Sequence, residues 1–216
     1  MSRCIVVCAG EQGAVGFSPR PDDFVIACDA GYDRALAMGL KADLLVGDFD
    51  SRPHADLPRD LAVLRFPVDK DDTDSLLAIK EGLARGYRDF VLLCALGGRL
   101  SHTLANIQAL AFAAWRGCRA EALGPRERLL MIQNERLELP AEGWEEISVF
   151  AYGGPISRVT LSGLYYPLDG PLTADFPLGV SNRFTGVPAS VEVSGGTALV
   201  LLYRPEAAAQ TETSRN

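Results

Sequence analysis

The sequence predicts an α/β protein: an N-terminal, mostly parallel α/β domain over residues 1–136, then a smaller C-terminal antiparallel β-sandwich over 137–206 and a polar tail over 207–216. Three observations carry this. Short, nearly continuous apolar runs in the first part end in Gly or Asp, as strands covered on both faces of a parallel sheet do. Stretches of helical periodicity separate them. After about residue 136 that periodicity stops, and short strand-like segments between Gly/Pro turns take over.

In order, residues 4–8, 24–28, 44–46, 63–66 and 90–94 read as strands, the first being Cys4-Ile5-Val6-Val7-Cys8. Helical patterns fall at 32–39, 74–86 and 102–116. In the last, Leu104, Ile107, Ala111 and Ala114 recur at roughly helical spacing, and Gly117 closes the helix. Further strands are expected at 145–152, 157–164, 190–194 and 198–203. Gly153-Gly154-Pro155, Asp169-Gly170-Pro171 and Gly195-Gly196 mark turns, the grammar of a small sandwich or barrel. The tail Ala207–Asn216 has no large apolar residue and is expected to fray.

Composition narrows the function classes. A formal net charge of −7 over 216 residues argues against nucleic acid as the main partner, which needs a clustered basic surface. No apolar run reaches the eighteen or so residues of a membrane helix, and Met1-Ser2-Arg3-Cys4 lacks the features of a secretory signal. Five cysteines (Cys4, Cys8, Cys28, Cys94, Cys118) without a CxxC argue against zinc and for reduced, buried thiols in a cytoplasmic protein.

The chemistry concentrates in two acidic clusters at strand ends, Gly47-Asp48-Phe49-Asp50-Ser51 and Lys70-Asp71-Asp72-Thr73-Asp74. An isolated DxD is also a common turn, and acids in a first helical turn are favoured by the helix dipole. Neither explanation predicts a third carboxylate, Asp29, at another strand exit of the same sheet. Carboxylates gathered there repel one another unless a cation neutralises them, and hard oxygen ligands with phosphates suit Mg²⁺. Gly97-Gly98-Arg99-Leu100-Ser101-His102 follows a further strand and opens a helix. Its glycines permit close backbone approach, its free N–H groups suit an anion, and Arg99 can chelate phosphate. Lys70 is the other basic residue beside these acids. His102 is one of only two histidines. Ser181-Asn182 lies among Tyr165, Tyr166, Phe176 and Phe184, a segment that is either a turn over a sandwich core or a platform for a flat heterocycle. Dinucleotide GxGxxG, P-loop, protein-kinase and GxSxG signatures are missing.

Taken in order, Cys28-Asp29-Ala30-Gly31, Gly47-Asp48-Phe49-Asp50-Ser51, Lys70-Asp71-Asp72-Thr73-Asp74, Gly97-Gly98-Arg99, His102, Leu104-Ala105-Asn106 and Ser181-Asn182 resemble the thiamine pyrophosphokinase family over nearly the whole chain, to about Tyr203. The stretch Gly163-Leu164-Tyr165-Tyr166-Pro167-Leu168 resembles the family's second domain. The resemblance implies transfer of the pyrophosphoryl group of ATP to the hydroxyl of thiamine, giving thiamine diphosphate and AMP. It implies Mg²⁺ on Asp48, Asp50 and Asp71, with Asp74 completing the catalytic set. Asp29, Lys70, Thr73, Gly97, Gly98 and Arg99 are assigned to the ATP side, and Ser101, His102, Ser181 and Asn182 to the thiamine side. It further implies a homodimer, with thiamine between the nucleotide domain of one subunit and the β domain of the other.

The chain departs from the family pattern in three places. Ser101 stands where an Asp is common, Ala30-Gly31 where Gly-Gly is frequent, and Val180 and Arg183 flank the late Ser-Asn where eukaryotic relatives have Trp. Two other readings stay open on the residues alone. A DxD glycosyl- or nucleotidyltransferase also holds a metal against nucleotide phosphates, and a nucleotide- or thiamine-binding protein without turnover would tolerate Ser101.

Overall fold

The protein is described here from a computed structural model covering residues 2–48, 58, 61–67 and 71–204. Asp50, Lys70 and the expected tail over 207–216 lie outside the described residues. The first stretch runs β1 (Cys4–Val7), β2 (Phe24–Cys28), α1 (Gly31–Ala37), β3 (Leu44–Gly47), β4 (Ala62–Arg65), α2 (Asp74–Ala84), β5 (Asp89–Leu93), α3 (Leu100–Ala114) and β6 (Arg119–Leu123). The second runs β7 (Glu127–Gln133), β8 (Arg136–Leu139), β9 (Glu146–Ala151), β10 (Ile156–Ser162), β11 (Leu168–Leu172), β12 (Asn182–Arg183), β13 (Ala189–Ser194) and β14 (Thr197–Tyr203).

Every residue of β1 and β3 is buried, because helices and loops cover both faces of the sheet. Side chains alternate across it. Cys4 and Val6 join Ile26, Val46 and the apolar faces of α2 and α3, while Ile5 and Val7 pack with Ala35 of α1 and Leu40. Thr73 starts α2 by accepting a hydrogen bond from the Leu76 N–H (3.3 Å), and Gly117, at φ 73°, follows the end of α3. β4 is the edge strand of the parallel run, and three of its four residues are exposed.

Ten strands form one mixed sheet in the order β12-β9-β14-β7-β6-β5-β1-β2-β3-β4. The run β6-β5-β1-β2-β3-β4 is parallel. From β6 through β7, β14 and β9 to β12 each pair is antiparallel. A separate antiparallel sheet, β11-β10-β13-β8, stacks on the far part of the large one. The shared core includes Leu130, Ile147, Val159, Val191, Val200 and Leu202. The antiparallel half is therefore a two-sheet packing rather than a closed barrel. One of its sheets continues the parallel sheet without a break, a feature that two separately drawn units do not contain. Among the described residues no helix is long and apolar enough to cross a membrane.

Strand order positions the site. The chain moves outward from β1 through β2 and β3 to β4, then returns to place β5 on the other side of β1. At such a reversal the connections leave in opposite directions and open a crevice beyond the carboxyl ends of the strands.

Candidate active site

The crevice is a cavity of about 640 Å³, the size of a cofactor or nucleotide pocket. The exit of β1 supplies Cys8, Ala9 and Gly10, and that of β2 supplies Cys28, Asp29 and Ala30. Thr73, Asp74 and Ser75 enter from the start of α2. The exit of β5 and the first turns of α3 bring Cys94, Ala95, Gly97, Gly98, Arg99, Ser101, His102, Ala105 and Asn106. On α3 the lining positions 101, 102, 105 and 106 are the i, i+1, i+4, i+5 set of one helical face.

Close backbone contacts fix these exits. The Gly10 N–H donates to the Cys94 carbonyl (2.7 Å), and a Cβ on Gly10 would lie 2.5 Å from that same oxygen. At the start of α1, a Cβ on Gly31 would lie 2.1 Å from the Val7 carbonyl oxygen. Glycine is thus needed where α1 meets β1, which is the position the sequence keeps as the second residue of Ala30-Gly31. Asp29 (φ 44°) and Cys94 (φ 52°) hold left-handed conformations at the mouth. Such strain persists only where the surroundings over-determine it, and it gathers at ligand sites.

The acidic residues divide into distinct places. Asp29 and Asp74 line the cavity. Asp29 donates its N–H to the Val46 carbonyl (2.9 Å), so the half-buried Asp48, two residues beyond Val46, leaves the sheet beside it. Asp71 is exposed and precedes the Thr73 cap. Asp72 is engaged by Lys80, with Nζ 2.6 Å from a carboxylate oxygen. Among the described residues no group of three or more His, Cys, Asp or Glu is arranged to hold a metal ion by itself. That donor set fits Mg²⁺ in the form it usually takes, on one or two carboxylates with the remaining positions filled by water and substrate phosphates.

The anion-binding side is equally local. No side chain caps α3, so its first N–H groups face the mouth beside Gly97, Gly98 and the exposed Arg99. Ser101 and His102 stand on the same exposed turn. Thr73 spends its hydroxyl oxygen on the α2 cap and lies 3.1 Å from the Ser75 hydroxyl. Below them, the Cys28 thiol is pushed well above its ordinary pKa by the neighbouring Cys8 thiol and by burial. It is therefore a neutral wall of the cavity.

The structure brings Asp29, Thr73, Asp74, Gly97, Gly98, Arg99, Ser101 and His102 around one space and sets Asp48 and Asp71 on its flank. It does not bring Ser181 and Asn182 there. They lie at β12, six inter-strand steps from β1, or roughly 29 Å at about 4.8 Å per step. Asn182 is 5% exposed and spends its amide on the backbone: Oδ1 accepts from Tyr166 N and Arg183 N (both 2.9 Å), and Nδ2 donates to Tyr166 O (2.7 Å). It thereby braces the exposed Tyr165–Tyr166 turn, whose rings meet edge to face.

Sequence reasoning gave no role to Cys8, Ala9, Gly10, Ala95 or Asn106. The first four act by being small, which leaves no chemical signature. Asn106 is 9% exposed and donates Nδ2 to the Ala95 carbonyl (2.7 Å), fastening α3 to the exit of β5. A buried polar residue between Ala105 and Ile107 was the signal available.

Two family models match the chain. Thiamin pyrophosphokinase, catalytic domain, matches residues 20–120, and Thiamin pyrophosphokinase, vitamin B1 binding domain, matches residues 135–198. A comparison with curated protein sequences finds no match. Among solved structures, thiamine pyrophosphokinase from Bacillus subtilis superposes with a TM-score of 0.81 at 21% identity, covering 95% of this chain and 100% of that one. The enzyme from Geobacillus thermodenitrificans gives 0.82 at 22% identity, covering 97% and 100%. That from Candida albicans gives 0.64 at 12% identity, covering 94% and 90%. At these identities the structural likeness establishes the fold, and the two family models carry the assignment.

Proposed function

Because the chain belongs to the thiamin pyrophosphokinase family, we propose that it transfers the pyrophosphoryl group of ATP to the hydroxyl of thiamine, releasing AMP and thiamine diphosphate. The observation that carries this is the coincidence of motif and place. Asp29, Thr73-Asp74 and Gly97-Gly98-Arg99, far apart in sequence, line one crevice at the switch point of the sheet, inside a chain matched by both family models.

Each part of the crevice has a task in that reaction. The uncapped start of α3, with Gly97, Gly98 and Arg99, holds the phosphates by N–H and guanidinium donors. Asp48, Asp50 and Asp71 would hold Mg²⁺, Asp74 would complete the catalytic set, and Asp29, Lys70 and Thr73 would serve ATP. The ion, when bound, neutralises charge on the phosphates. The alcohol attacks phosphorus in line, so its proton needs an acceptor at the mouth, and Asp71 or Asp50 takes it. His102 and Ser101 flank the incoming alcohol.

The thiamine side needs a second copy. Ser181 and Asn182 are too far from the crevice of their own chain, which supports a homodimer in which the β domain of one protomer faces the crevice of its partner. Ser181 then contributes its hydroxyl, and Asn182 the Tyr165–Tyr166 turn that it holds. The proposed division of labour is residues 1–136 for ATP and Mg²⁺ and 137–206 for thiamine. Five free, buried thiols support a reducing, cytoplasmic compartment.

The deciding experiment is AMP release from Mg-ATP with thiamine varied. Thiamine-dependent AMP supports the assignment. Release of pyrophosphate instead, or turnover only with a sugar nucleotide, would overturn it.

A further inference from the structure

Ser181 is held unusually firmly for an exposed serine. Its backbone takes φ 55°, a left-handed conformation that costs a non-glycine residue energy unless its surroundings impose it. Two contacts with β9 impose it. The Ser181 N–H donates to the Ser148 hydroxyl oxygen (3.0 Å), and the Ser181 hydroxyl donates to Glu146 Oε1 (3.0 Å). Glu146 and Ser148 alternate with Ile147 and Val149, which are buried in the core between the two sheets. Both polar side chains therefore project from the other face of the large sheet, where Phe150 packs into the core that contains α3.

The direction of the second bond restricts what Ser181 can offer. A carboxylate only accepts, so the serine proton is committed to Glu146 and the hydroxyl presents lone pairs alone. A ligand group meeting it must be an N–H or O–H donor. The charge on Glu146 is also available. Arg183, its register partner on β12, lies over the Tyr165 ring at 4.5 Å, and no ion pair to Glu146 forms among the described residues.

We propose that Glu146 is a positioning residue that fixes the Ser181 hydroxyl as an acceptor for an amino group of the bound organic cation, with its own carboxylate adding charge complementarity. This rests on the reading that Ser181 faces thiamine, whose aminopyrimidine supplies the donor and whose thiazolium supplies the positive charge.

The test uses the full chain, with thiamine affinity measured by calorimetry and steady-state constants measured for each substrate. Glu146→Ala should weaken thiamine binding about tenfold, the worth of one charge-assisted hydrogen bond, with KM for ATP and Tm unchanged. Glu146→Gln keeps an acceptor oxygen for Ser181 and should recover binding to within about threefold of the parent. The double variant with Ser181→Ala should lose less than the sum of the two singles, as coupled residues do. Equal weakness of Glu146→Gln and Glu146→Ala, full additivity in the double variant, or unaltered thiamine affinity in Glu146→Ala would overturn the role. Absence of thiamine-dependent AMP release from the unmutated protein would overturn the functional reading beneath it, so the two failures are told apart.

Discussion

Gly31→Ala tests whether the crevice depends on the contact between α1 and β1. A methyl group there would lie 2.1 Å from the Val7 carbonyl oxygen, 2.8 Å from its carbon and 3.0 Å from the Cys8 carbonyl oxygen. All three are backbone atoms of a buried central strand and its exit, so none can rotate away. An ordinary carbon–oxygen contact of about 3.2 Å would require α1 to retreat by about 1 Å, and overpacking of this kind costs about 1–3 kcal/mol. The smaller entropy of an unfolded alanine returns about 0.4–1 kcal/mol, leaving a net loss of about 1.3 kcal/mol at the middle of these ranges. For a chain of this length that lowers Tm by about 3–5 °C. Asp29 and Ala30 precede the helix directly, so KM for ATP should rise as well. Gly154→Ala is the control, because its methyl would meet no atom within 4 Å, and it should be neutral or slightly stabilising. Urea unfolding of both variants decides the matter. Equal stability of the two would refute the steric reasoning.

Three other outcomes are expected. Asp48→Asn and Asp71→Asn should each lower turnover by about two orders of magnitude or more while leaving Tm nearly unchanged, because both sit at the mouth rather than in the core; circular-dichroism melts with AMP-release rates check this. Ser101→Asp should lower KM for thiamine about tenfold and leave KM for ATP in place, since a carboxylate accepts hydrogen bonds more strongly than a hydroxyl; varying each substrate in turn reads it. Burial raises the Asp89 carboxyl above its ordinary value of 3.8, and its Oδ1 finds no partner among the described residues. As pH rises from 3.8 through the raised value the unfolded chain loses its proton first, so stability falls across that window and the penalty is complete above it. Asp89→Asn should therefore melt higher at neutral pH, with the advantage shrinking as pH falls into the carboxylate range.

What the sequence reveals depends on where each signal resides. β1, β2, β3 and β5 were readable because burial on two faces leaves uninterrupted apolar runs. β6 and β7 were not. Arg119-Ala120-Glu121-Ala122-Leu123 and Glu127-Arg128-Leu129-Leu130-Met131-Ile132-Gln133 are rich in helix formers, and tertiary pairing overrides that local preference. Glu121, only 8% exposed, is tolerated because Arg128 on the neighbouring strand pairs with it at 2.6 Å, a partner that no local pattern reveals. At the crevice Asp29, Asp74 and Gly97-Gly98-Arg99 were legible, since charged and glycine residues are unusual at strand ends. The small residues that make room for a ligand were not. The separation of Ser181 from the crevice became visible only with strand order, which is a global property of the fold.

The continuity of the large sheet has a consequence for biosynthesis. β14 lies between β7 and β9, and its register spans all seven residues of β7 and six of β9. It is also the last of the described strands to leave the ribosome. The parallel strands can pair during translation, since β6 is made well before it. β7 and β9 must wait with unpaired, apolar edges until the final described segment emerges. That interval presents the kind of open strand edge that joins other chains. A nascent chain that stalls before Thr197 is therefore exposed to aggregation even where its parallel strands have paired.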